Sequence, residues 1–145
     1  MTLDATIGGN ASNVYSTLAE TDAYFANHLK FALWNDFTQA QKQRAKIMAT
    51  LMIDREKFKQ DKASIAPIGS DEFQRLEFPR IYCYDNDGEL YIPEEIKMAE
   101  AEQALYLLED MAEPKDGEEE PPHICQAALD FLAPHLNRVA MIGRM

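Results

Sequence analysis

Two Thr-x-x-Glu/Gln signatures, Thr17 with Glu20 and Thr38 with Gln41, constrain this chain more than any other feature. In such a box the threonine hydroxyl accepts from the backbone N–H three residues on, while the glutamate or glutamine reaches back to the threonine N–H, so a helix start is fixed twice over. Each box is followed by residues at helical spacing: Leu18, Tyr24, Phe25, His28 and Leu29 after the first, then Ala45, Met48, Leu51 and Met52 after the second. Helices are therefore expected over 17–30 and from 38 to about 58, with a turn around Trp34-Asn35-Asp36 between them.

A third helix is expected from Pro93, which suits a first helical position, with Glu94 and Glu95 at the positive end of its dipole. Its buried stripe reads Ile96, Ala99, Gln103, Ala104, Leu107, Leu108 and Met111, and it stops before Pro114. A fourth helix over 122–136 buries Ala128, Phe131, Leu132 and Leu136, and Pro134 kinks or shortens it.

Residues 59–79 break the periodicity with Pro67, Gly69 and Pro79, which predicts a long functional loop. The β-prone runs 81–84 and 89–92 flank Asp85-Asn86-Asp87-Gly88, a strong turn, and predict a two-stranded hairpin. A lone hairpin is marginal in water, so it must pack on helices or pair with another chain, and Tyr82, Tyr84 and Tyr91 are its expected inter-subunit contacts.

The expected fold is thus mainly α: a small bundle of about four helices with a protruding loop and a two-stranded β-hairpin. The chain divides into an extended arm (1–15), a core (16–114) carrying the loop and hairpin (59–92), an acidic linker (115–121), and a C-terminal helix and tail (122–145). With 145 residues and 46% hydrophobic composition, one domain with a real core is affordable. The tail mixes Val139, Met141 and Ile142 with Arg138 and Arg144, a composition that suits a partner's groove.

A net charge of -11 opposes sequence-independent binding to phosphate backbones and to anionic lipid. The densest basic run, Lys42, Arg44, Lys46, Arg55, Lys57, Lys59 and Lys62, reads as a solvated helix face. Trp34, Tyr82, Tyr84 and Tyr91 could stack on unpaired bases, though packing is the commoner use of such residues. No membrane span and no cleavable signal is expected, since no run of eighteen apolar residues occurs and the basic-then-apolar layout is missing.

Chemistry is sparse. Cys83 and Cys125 form neither a CxxC pair nor a zinc pattern and are expected as reduced thiols. His28, His123 and His135 lack metal-like partners at helical spacing and read as satisfied core or surface histidines. Asp85, Asp87, Gly88 and Glu94 imitate a calcium loop, but Cys83 would be its first ligand, a soft sulfur for a hard cation. Gly8-Gly9 lacks the lysine of a phosphate loop and reads as flexible backbone. No enzyme activity, cofactor or metal is expected.

The order of several segments resembles a known family. These are Asn13-Val14-Tyr15-Ser16-Thr17-Leu18-Ala19-Glu20-Thr21-Asp22-Ala23-Tyr24-Phe25, then Trp34, then Ala45 and Ala49. They continue with Gln74-Arg75-Leu76-Glu77-Phe78-Pro79-Arg80, Gly88, Ile92-Pro93-Glu94-Glu95-Ile96 and Ala128-Leu129-Asp130-Phe131-Leu132-Ala133-Pro134-His135-Leu136. Together they resemble the head-tail connector (adaptor) proteins of tailed bacteriophages, many of which carry the label DnaT-like single-stranded-DNA-binding protein. Phe78 stands where that family more often has tryptophan, and the acidic linker is a departure.

The resemblance implies a homo-oligomeric, dodecameric ring below the portal protein that joins the head to a tail, stopper or terminator protein, with double-stranded DNA passing through without specific binding. It implies a virion protein made in the host cytoplasm, with no membrane partner. The tail residues Arg138, Val139, Met141, Ile142 and Arg144 would then be the docking element for portal or tail. A single-stranded-DNA-binding accessory protein is the alternative reading.

Overall fold

The computed structural model describes residues 2–112 and 123–137. The acidic linker at 115–121 and the expected docking residues Arg138, Val139, Met141, Ile142 and Arg144 lie outside them.

Both capping boxes form. Thr17 caps α1 (Leu18–Ala26) and Thr38 caps α3 (Gln39–Ile53), each with the reciprocal Glu20 or Gln41 bond in place. Between them, where a turn was expected, lies the short helix α2 (Phe31–Asp36), and α1 ends four residues earlier than the sequence suggested. The reason is Trp34, which must turn inward to stack on Phe25 with ring centroids 4.6 Å apart. A single helix over 17–30 could not fold back to make that contact. Leu29 consequently leaves the core and is fully exposed.

The long helix α4 (Glu94–Ala112) is the centre of the fold, packing against α3, α1 and α5 (Gln126–Leu132). Helix α5 passes into a 3-10 turn at Ala133–His135 that contains Pro134, the shortening expected of that proline. The core falls into two apolar clusters. One gathers Tyr15, Ile53, Phe58, Phe78, Ile96 and Leu132; the other gathers Phe25, Trp34, Ala49, Ala104, Leu105 and Leu108. Along α4 the neighbours Ala99 and Ala101 belong to different clusters, so Glu100 stands at their junction.

The molecule is mainly helical, with five α-helices among the described residues. The expected two-stranded hairpin is reduced to its turn. Asp85 Oδ1 accepts from the backbone N–H groups of Asp87 (2.8 Å) and Glu89 (3.0 Å), Gly88 takes a positive φ of 78°, and the flanks meet only at a Tyr84–Leu90 bridge. Beyond that bridge, where Tyr91 N–H donates to the Cys83 carbonyl, the N–H groups of this segment have other partners: Ile81 N–H donates to the Asp61 carbonyl and Cys83 N–H to that of Arg80.

Residues 4–16 do not extend as an arm. Asp4 and Asn13 close a loop through Asp4 N–H to Asn13 Oδ1 (2.8 Å) and Asn13 N–H to Asp4 O (2.9 Å), delivering Val14, Tyr15 and Ser16 into the interior. Within it Gly9 is a packing requirement, because a Cβ there would lie 2.6 Å from Ser12 Oγ and 2.9 Å from Thr6 Cβ.

Candidate functional site

The inward face of α3 is not the apolar stripe that its spacing suggested. Ala45, Ala49, Met52 and Ile53 are buried, but so are Lys42, Lys46 and Thr50, while Met48 and Leu51 face solvent. Lys46 is wholly buried and pairs with Glu100 at 2.6 Å. Its ammonium also donates to Ser16 Oγ (2.7 Å) and Thr21 Oγ1. Glu100 Oε1 accepts from Ser16 Oγ, and its Oε2 accepts from Tyr15 N–H (2.6 Å) and Thr50 Oγ1 (2.7 Å). Such a pair repays its desolvation only when the remaining donors and acceptors are satisfied, as they are here. It ties α3 and α4 to the start of α1.

Lys42 is spent similarly. Its ammonium lies 5.2 Å from the Trp34 ring centroid and 3.8 Å from Asp22 Oδ1, the oxygen that also accepts from Trp34 Nε1 at 2.8 Å. Lys62 meets Glu77 at 3.8 Å. The expected solvated basic face therefore loses Lys42 and Lys46 to the interior, because their long apolar stems can cross buried surface toward a carboxylate. Trp34 is likewise removed from any stacking role on the surface.

The 59–79 loop is pinned at its base. Gln74 is buried and donates to the carbonyls of Leu76 and Pro79, both at 2.8 Å, and its Oε1 accepts from Ser64 N–H. Arg80 lies against the rings of Phe58 and Phe78 and donates to the Lys59, Gln60 and Glu77 carbonyls and to the Glu77 carboxylate. Asp54, just beyond α3, accepts from the Tyr15 hydroxyl and from Glu77 N–H, and burial pushes its carboxyl up to about 6.

The three tyrosines have different placements. Tyr82 is half-buried, stacks parallel to His135 and donates to or accepts from its Nδ1 at 2.7 Å; burial first, then the neighbouring Cys83, pushes its hydroxyl up to about 12. Tyr84 and Tyr91 are exposed beside the turn. His28 pairs with Glu102 (2.9 Å), and His123 meets the Tyr106 hydroxyl at 3.3 Å. Among the described residues no group of three His, Cys, Asp or Glu side chains could hold a metal ion, and no helix is long and apolar enough to cross a membrane.

Several large apolar side chains remain on the surface: Leu29 and Phe31 around α2, Met48 and Leu51 on α3, Met111 on α4, and Ile65 and Ile68 in the loop are all exposed. Exposed apolar side chains gathered on named faces mark contact surfaces. Met48 and Met111 escaped sequence reasoning because their spacing also fits a core stripe; the signal was the arginine on either side of Met48 and Leu51. Residues 1–121 match a family described as "Putative DnaT-like ssDNA binding protein". Neither a curated protein nor a solved structure matches the chain.

Proposed function

Since the chain belongs to the DnaT-like family over residues 1–121, we propose that within this family it is a structural, non-catalytic virion subunit. It is a head-tail connector that assembles as a ring under the portal, joins the DNA-filled head to a tail or stopper protein, and lets the genome pass.

One observation carries this reading: of the residues that a single-stranded-DNA site would use, the tryptophan and two lysines of the basic run are consumed by the fold. Trp34 is stacked on Phe25 with its indole N–H on Asp22, and Lys42 and Lys46 are buried against carboxylates. The side chains left outside are apolar or, in sum, acidic, which suits protein partners and a lumen past which DNA slides. The resemblance of the 13–25, 74–80, 92–96 and 128–136 segments to phage connectors supplies the particular assembly. The C-terminal residues Arg138, Val139, Met141, Ile142 and Arg144 then serve as the portal-docking element, with the arginine forks meeting carboxylates across the contact.

The family description itself favours a second reading, a single-stranded-DNA-binding accessory protein. Sedimentation and negative-stain imaging of the chain with and without isolated portal rings separate the two. The connector reading expects rings that cap the portal, and removal of residues 138–145 should abolish capping while leaving the melting temperature unchanged. A chain that stays monomeric beside portal and instead binds oligothymidylate below micromolar concentration would establish the second.

A further inference from the structure

Two apolar features of opposite shape lie on different parts of the molecule. The first is convex: Ile65 and Ile68, at 88% and 86% exposure, sit at the tip of the 59–79 loop. That tip is held ready. A turn closes from Ser70 N–H to the Pro67 carbonyl (3.1 Å), Gly69 takes a φ of 96° that other residues resist, and Ser64 Oγ ties the near side to the Glu72 carbonyl at 2.7 Å. The exposed carboxylates of Asp71 and Glu72 follow directly.

The second feature is concave. An open cleft of about 360 Å³ lies between the start of α3 and the end of α4, lined by Arg44, Met48, Leu107 and Met111 among others. It continues along the outer face of α3, where Arg44, Met48 and Leu51 are exposed at helical spacing, and the exposed Arg55 follows in the turn just past the helix end, so two apolar residues are bracketed by two arginines. An apolar tip followed by two carboxylates and an apolar strip bracketed by two guanidiniums are complementary in shape and in charge. Neither feature is self-complementary.

Resting on the ring assembly proposed above, we infer that the loop tip of one copy, Ile65 and Ile68, seats on the Met48–Leu51 strip and the adjoining α3/α4 cleft of the next copy. Asp71 and Glu72 then face Arg44 and Arg55. The occupant is a second copy because the chain itself carries both halves. The contact is head-to-tail, and a contact of that kind propagates from copy to copy until rotation closes it into a ring. Pinning the loop in advance lowers the entropy lost on association.

The experiment uses the full chain in two variants, Ile68→Asp, which spoils the tip, and Met48→Asp, which spoils the strip. Both residues are exposed, and circular dichroism checks that each variant folds. Sedimentation velocity across a concentration series, with and without portal, reads the assembly. Wild type should form closed oligomers, whereas each variant alone should stay monomeric. An equimolar mixture should form dimers and nothing larger, because only the intact tip of Met48→Asp and the intact strip of Ile68→Asp can meet. Raising salt should weaken those dimers, since the charged pairs are exposed. If wild type assembles and both variants assemble equally well, the contact is overturned and the ring reading stands. If each variant is monomeric and the mixture does not pair, a head-to-tail contact is overturned in favour of a two-fold one. A wild type that never assembles, even on portal, removes the ring reading and this contact with it.

Discussion

At the scale of single residues, the buried pair Lys46–Glu100 is as consequential as a large buried aromatic. Removing one partner of a buried ion pair strands the other charge, at a cost of about 3–5 kcal/mol, a large share of the ~5–15 kcal/mol by which a domain is stable. Lys46→Met is therefore expected to lower the denaturant midpoint sharply without altering the slope of the transition. Replacing both ends by apolar residues is often harmless in other proteins. Here the double variant Lys46→Met/Glu100→Leu should stay below wild type, because the buried Tyr15 N–H would lose its acceptor at a cost of about 1–3 kcal/mol, while Thr50 keeps the Lys46 carbonyl and Ser16 keeps Thr21 Oγ1 as alternatives. A double variant as stable as wild type would show that the network is dispensable. Asp54 gives the second residue-scale prediction. Burial raises its carboxyl from 3.8 to about 6, so between those pH values the folded state holds a proton that the unfolded state has lost. Stability contributed by this group is present in full below pH 4 and declines as pH rises toward and through 6. Urea titrations of wild type and Asp54→Asn at pH 4, 5, 6 and 7 should show that decline in wild type and a flatter profile in the variant. Parallel profiles would refute the assignment.

Elements are held here by side chains that reach between them, and α5 is the clearest case. Gln103, buried on α4, donates to the His123 carbonyl (2.9 Å) and accepts from Cys125 N–H (2.8 Å), fixing the residues that lead into α5. Gln103→Leu should loosen that lead and speed labelling of the half-buried Cys125 thiol by a chromogenic disulfide, while fully buried Cys83 stays slow and serves as the internal control. Equal Cys125 labelling rates in variant and wild type would mean that packing alone holds α5. The same reaching side chains explain what could be read in the sequence. Thr17, Thr38 and Pro134 act within one turn of themselves, so their neighbours along the chain were enough to place two helix starts and one helix end. Lys46 answers to Glu100, far along the chain, and no local pattern reveals that partner. From local spacing its helix face therefore reads as solvated, and Met48 and Leu51 read as core. Trp34 reads as part of a turn, because its need for Phe25 depends on the angle between α1 and α2. The turn at Asp85–Gly88 was legible from its own residues, but the shortness of the strand pairing beside it was not, since the N–H groups of Ile81 and Cys83 find acceptors elsewhere. Of the surface, Tyr82, Tyr84 and Tyr91 read as inter-subunit contacts, of which Tyr84 and Tyr91 are exposed and Tyr82 is half-buried, and 59–79 reads as a functional loop without its spacing singling out Ile65 and Ile68 as the tip.

For the whole molecule the deciding quantity is where its charges and aromatics are spent. A chain that neutralises phosphates shows affinity falling steeply with salt, by roughly 0.7 in log K per log salt for each phosphate neutralised on a single strand. This chain carries a net charge of -11, and two lysines of its densest basic run are turned inward to carboxylates. Its single tryptophan lies behind Phe25 and Lys42, so a base could reach it only if α1 and α2 came apart. Titration with oligothymidylate at low salt should therefore leave the Trp34 emission unchanged in position and intensity, and fluorescence anisotropy of a labelled oligonucleotide should show only weak binding with little salt dependence. The tryptophan makes the test internal, because stacking platforms for unpaired bases quench or shift the emission of the ring that they use. Suppose instead that the emission is quenched and the anisotropy rises below micromolar protein, with a steep salt slope. Then the helices carrying Trp34, Lys42 and Lys46 would have to open to meet the strand, and the DNA-binding reading would replace the structural one. Binding without any change at Trp34 would place the contact elsewhere, with the exposed Tyr84 and Tyr91 as the first residues to replace by alanine.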